Sequence, residues 1–130
     1  MRAVDTNILV RWLTRDDPVQ TPIADRVMAK PVFVAHTVLL ELAWVLGGRT
    51  YRFNRARLAV ALRALIDTQT VHVGDEEAVR WAIERFAAGG DIADMLHLTS
   101  LHGCSAFVSF ENRLQERAGP QAPVPVEQPA

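Results

Sequence analysis

Short apolar runs alternate with helix-type segments along most of this chain, and the joints between them are short. That alternation is the strongest constraint on the fold, because parallel strands need crossovers long enough to hold a helix. Residues 2–5 read as a strand, and NILVRWLT at 7–14 reads as a helix broken by Asp16-Asp17-Pro18. Thr21-Pro22 is a cap-plus-proline helix start, with the helix running to about Lys30. VFVA at 32–35 is a second strand, and Thr37 caps a helix through about Leu46 that ends at Gly47-Gly48. Asn54 opens a helix to about Ile66, and TVHV at 70–73 is a third strand. Asp75-Glu76-Glu77 places acids on the first turn of a helix to about Ala87, where they suit the helix dipole. After Gly89-Gly90 a helix runs from about Ile92 to Leu101, SAFVSF at 105–110 is a fourth strand, and ENRLQERA is a short last helix. Such alternation implies an α/β fold with a parallel sheet flanked by helices. Ligands in these folds sit beyond the carboxyl ends of the strands.

At 130 residues with 49% hydrophobic content, the chain suits one domain with a sizeable core. Residues 1–118 carry the alternation, while AGPQAPVPVEQPA at 118–130 holds four of the seven prolines. The last residues, 119–130, are therefore a mobile tail or a short edge strand through Val124 and Val126, with Pro123 and Pro125 against the strand. No apolar run reaches the length of a membrane span, and Asp5 and Asn7 break any apolar leader. The single cysteine, Cys104, excludes an internal disulfide and a multi-cysteine zinc site. It reads as a small core residue ahead of a buried strand. A reducing cytoplasm is the expected compartment. A net charge of −1 argues against nucleic-acid binding by bulk charge alone. The cluster Arg49, Arg52, Arg55 and Arg57 is a solvated loop and helix start, or a contact for RNA phosphates.

The acids have a pattern of their own. Asp5 ends the first strand, Glu111 follows the fourth, and Asp91 and Asp94 share a face at a helix start. Glu41 interrupts the apolar run VLLELAWVL, where a helix apolar on nearly all sides is expected to be buried. Each acid has a local explanation: caps for Asp5 and Asp91, first-turn dipole partners for Asp94 and Glu111, a buried salt bridge for Glu41. A common explanation is a single pocket. Crowded carboxylates raise one another's pKa, and a divalent cation relieves the repulsion. Oxygen-only ligands favour a hard ion, Mg²⁺ or Mn²⁺. Such an ion activates water and stabilises an oxyanion in phosphodiester hydrolysis. His97 stands three residues after Asp94, within reach of the site, but reads as a core or surface histidine because hard ions prefer oxygen. His36, His72 and His102 show no ligand spacing, and Trp12, Trp44 and Trp81 read as packing, with Trp44 three residues after Glu41.

Taken in order, VDTNILVRWL, the isolated Glu of LLELAWVL, GGDIADMLHL and FVSFENRL resemble the four acidic motifs of the PIN-domain family, and most closely those of VapC-type toxins of bacterial toxin–antitoxin pairs. The resemblance extends to about Ala118. It implies a three-layer α/β/α fold with a central parallel sheet of four or five strands, and an endoribonuclease that uses Mg²⁺ or Mn²⁺. By position it assigns catalysis to Asp5, Glu41, Asp94 and Glu111, with Asp5, Glu41 and Asp94 as metal ligands. Asp91 matches an additional acid, Thr6 and Asn7 a polar pair bracing the first acid, and Ser109 the usual Thr of the last motif. Glu111 stands where the family usually has Asp and is one methylene longer, which bears on any second metal. The resemblance further implies an RNA substrate, a cognate antitoxin and a homodimer. Two other readings start from the same residues: a non-catalytic RNA- or partner-binding module, and an Asp-nucleophile phosphohydrolase. The second commonly wants an Asp two residues after the first, where Asn7 stands.

Overall fold

In a computed structural model describing residues 1–130, β1 (Arg2–Ala3), β2 (Val32–Phe33) and β3 (Val71–His72) lie side by side in that order, all parallel. The pairing extends past the strands through Val4 N–H to Phe33 O at 3.1 Å and Val34 N–H to His72 O at 2.9 Å. Two helices connect each pair of neighbours: α1 (Thr6–Thr14) and α2 (Gln20–Met28), then α3 (His36–Gly47) and α4 (Arg55–Asp67). These elements belong to one compact unit, Met1–Glu76. Within it α1 packs against α2 and α3, and α3 against α4. Val32, Val34, Leu9, Leu42, Leu46 and Leu65 are among its most deeply buried side chains. Burying each such side chain contributes on the order of 1.5–3 kcal/mol.

The second unit, Glu77–Ala130, holds α5 (Glu76–Ala87, apart from its first residue), α6 (Ile92–Leu98), β4 (Phe107–Val108), α7 (Leu114–Ala118) and β5 (Val126–Glu127). β5 pairs with β4 in parallel, and α7 packs on β5. Thus the strands form a three-stranded and a two-stranded sheet rather than one sheet of four or five. SAFVSF forms only a two-residue strand: Val108 is 55% and Phe110 88% exposed, so little apolar burial holds the rest in a ladder. Prolines do not block β5. Pro125 contributes only its carbonyl, which accepts from Phe107 N–H at 2.8 Å, while Glu127 O accepts from Ser109 N–H at 3.0 Å.

Several local expectations change. Thr21 does not cap α2. Val19 stands at its N-cap without a side-chain bond, and Asp17 supports the turn leading in, accepting from Val19 N–H at 2.9 Å and Gln20 N–H at 2.7 Å, so the helix starts earlier. α3 begins at His36 with no side-chain cap, so Thr37 lies inside it. Cys104 is exposed, not core. α3 is one-sided: Leu39, Leu42, Ala43 and Leu46 are buried at helical spacing, while Glu41 and Trp44 face solvent, Trp44 at 61% exposure. No helix is long and apolar enough to cross a membrane.

Candidate functional site

Asp5 stands where β1 gives way to α1, and its extended backbone makes it the N-cap. One carboxylate oxygen accepts from Ile8 N–H at 3.3 Å. The side chain is exposed, so the cap leaves carboxylate oxygen free to meet a ligand. Next to it Thr6 is 5% exposed and donates its hydroxyl to the Glu41 carboxylate. Thr6 thus braces Glu41 rather than Asp5, and the bond orients the one acid on the solvent side of α3. Glu41 is not a core residue paired with an arginine; the apolar run around it buries the opposite side of its helix. Asn7 is exposed and shows no side-chain hydrogen bond.

In the second unit, Gly89-Gly90 ends α5 and Asp91 caps α6, its carboxylate accepting from Asp94 N–H at 3.0 Å. Asp94 lies on the first turn, half-buried. Ser109 Oγ accepts from Glu111 N–H at 3.0 Å, and Glu111 in turn accepts from Arg113 N–H at 3.3 Å. Asp91, Asp94 and Glu111 line one cavity of about 300 Å³, shared with Gly89, Arg113, Leu114 and Arg117. Burial raises the pKa of the Asp94 carboxyl, and the charge of Asp91 adds to the rise; His97 opposes it, and Glu111 adds the smallest push upwards. No three His, Cys, Asp or Glu side chains form a ready-made metal cage. A hard ion does not require one, since Mg²⁺ keeps several waters and takes only one or two carboxylates. One or two carboxylates from this wall, with the charge of Asp94 disfavoured by burial and by Asp91, fit such an ion.

The Asp94 shift carries a sign that stability measurements can read. An acid whose folded pKa lies above its ordinary value of 3.8 binds its proton more tightly when folded. Its charged form therefore costs stability at pH values above the folded pKa, and the cost disappears below 3.8. Metal-free Asp94→Asn should melt above wild type at pH 7, with the difference shrinking as pH falls towards 3.8. A difference that stays constant over this range would show that the crowding does not act on Asp94.

A PIN-domain family model matches residues 2–120. The chain belongs to the PIN-domain family. PIN domains have a three-layer α/β/α fold, and they are in general metal-dependent nucleases that act on RNA. No curated protein matches this PIN domain significantly, and no solved structure does.

Other residues of this PIN domain separate by environment. Arg49, Arg52, Arg55 and Arg57 are exposed around the start of α4. Arg52 Nε donates to Arg49 O at 3.1 Å, and the Arg57 guanidinium sits 3.9 Å over the Phe53 ring, so two of the four are committed to their own loop. Arg113 and Arg117, which line the acidic cavity, escaped the reading of the sequence. Their signal was available: two arginines four apart, the first of them within FVSFENRL and close behind Glu111.

Proposed function

We propose that this PIN domain is an Mg²⁺- or Mn²⁺-dependent endoribonuclease, the toxin of a toxin–antitoxin pair, working as a cytoplasmic homodimer restrained by a cognate antitoxin. The observation that carries the nuclease reading is the cavity on which Asp91, Asp94 and Glu111 meet, with Asp94 half-buried in it, inside a chain matched to a nuclease family. The toxin role, the antitoxin and the dimer rest on the likeness of the four acidic motifs to VapC-type toxins.

On the likeness of the acidic motifs alone, Asp5, Glu41 and Asp94 would be the ion's ligands, with Glu111 reaching it on its longer arm. A bound ion of this kind supplies an activated water and a counter-charge for the phosphoryl oxygens. The remaining contributions come from the chain. Thr6 keeps one Glu41 oxygen occupied and thereby turns the other outwards. Asp91 fixes the backbone of the Asp94 turn through its cap bond. Ser109 sets the turn that presents Glu111. The exposed arginines around α4 add sequence-independent attraction to the RNA backbone.

Incubation of the full chain with total RNA tests the reading. New ends bearing 3′-hydroxyl and 5′-phosphate groups are expected with Mg²⁺ or Mn²⁺ and none with EDTA. RNA that stays intact in both ions, while bound tightly, would replace the enzyme by a binding module.

A further inference from the structure

Arg113 and Arg117 line the acidic cavity, yet neither pairs with Asp91, Asp94 or Glu111. An unpaired Arg carries five donors and no acceptor. Beside three carboxylates it would ordinarily close an ion pair, so what keeps these two apart from the acids matters.

Backbone contacts fix the helix that carries Arg117. Arg85 Nε donates to Arg117 O at 2.6 Å, and Arg85 Nη2 to Glu116 O at 3.2 Å, which pins the end of α7. The Arg117 guanidinium itself lies against Gly89. Gly89 has φ 122°, and a Cβ at that position would collide with Arg117 Nη1. Glycine there serves two needs at once: a backbone conformation that other residues rarely adopt, and room for the guanidinium. Arg113 opens the same short helix, and its N–H donates to the Glu111 carboxylate at 3.3 Å. One loop thus brings Glu111 and Arg113 to the same cavity. Arg113 and Arg117 are four residues apart and share a helical face.

A ligand that satisfies both halves of this wall must carry anionic oxygens for the guanidiniums while tolerating carboxylates alongside. Arg matches phosphate in a bidentate fork. Without other charges the acids outnumber the cations, and the cavity alone would repel RNA. We propose that Arg113 and Arg117 are phosphate-positioning residues: their guanidiniums take the non-bridging oxygens of an RNA phosphodiester and hold it beside Asp94 and Glu111. The proposal rests on the nuclease reading and adds to it the groups that seat the substrate. The opposing arrangement is that the arginines are internal counter-ions of the acids and never meet RNA.

Binding of a short single-stranded RNA by the full chain in EDTA separates the two, read by fluorescence anisotropy over a range of salt. The double variant Arg113→Gln with Arg117→Gln should bind at least about tenfold more weakly than wild type at 0.1 M salt, the loss of one or two charge-assisted hydrogen bonds. The slope of log K against log salt should fall by at least about 0.7, the value for one phosphate on a single strand. Arg26→Gln, an exposed arginine on α2, should leave the slope unchanged. Because Arg117 is packed against Gly89, the charge-conserving pair Arg113→Lys with Arg117→Lys serves as the second variant. It should keep the slope and lose affinity through the missing fork. An unchanged slope in the Gln variant, with wild type cutting RNA in Mn²⁺, overturns the arginine proposal and leaves the nuclease standing. A wild type that neither binds nor cuts RNA overturns both.

Discussion

Asp94→Asn should lower single-turnover cleavage of a bound RNA in Mn²⁺ by a hundredfold or more. The substitution keeps the size of the side chain and removes its charge. Losing a metal interaction that strengthens in the transition state costs several kcal/mol of barrier, and each 1.36 kcal/mol is a factor of ten in rate. Asp91→Asn should cost far less. Asp91 already spends its carboxylate on the N–H of Asp94 at 3.0 Å, and Asn is as good an N-cap. Affinity for RNA without metal should persist in Asp94→Asn or tighten, because one negative charge has left the cavity wall. Cleavage by Asp94→Asn at the wild-type rate would remove the centre of the proposed site.

Millimolar Mn²⁺ should raise the melting temperature of wild type and do much less for Asp5→Asn. An ion that binds only the folded state stabilises it by RT ln(1 + [L]/Kd), or about 1.4 kcal/mol at ten times Kd, which for a chain of this size is roughly 5 °C. Asp5→Asn is a clean probe, because Asn retains the side-chain oxygen that accepts from Ile8 N–H at 3.3 Å. The helix start survives while the charge does not. Equal shifts in the two proteins would show that Asp5 is no part of the ion's binding site.

How readily each feature could be read from the sequence depended on how local its cause is. The helix starts at Asp5, Asn54 and Asp91 were legible because each depends on a side chain reaching an N–H three residues ahead, at 3.3, 2.9 and 3.0 Å. α2 was displaced for the same kind of reason. Two capping residues, Asp17 and Thr21, compete within five positions, and the acid four residues earlier wins because its oxygen meets two N–H groups. The composition of the candidate site was legible as acids standing at element junctions. What each acid touches was not. Thr6 and Glu41 are 35 residues apart in the chain, and nothing in DTN or LLELAWVL says that one donates to the other. Arg117 likewise meets Gly89 only because α7 folds back across the end of α5.

By itself, then, the sequence determined the order of helices and strands, the parallel sense that their alternation demands, and the family through four spaced acidic motifs. These follow from periodicity, capping and chain connectivity, which act over a few residues. Tertiary structure decided which side of α3 is buried, so that Glu41 and Trp44 face solvent in a run that reads as core. It also left Cys104 exposed, split the strands into a three-stranded and a two-stranded sheet, and brought Arg113 and Arg117 to the acids' cavity without pairing them. Burial and strand pairing are decided by what packs against a segment from elsewhere in the chain. An apolar run shows that a segment will find a partner, and only the fold decides which of its faces that partner covers.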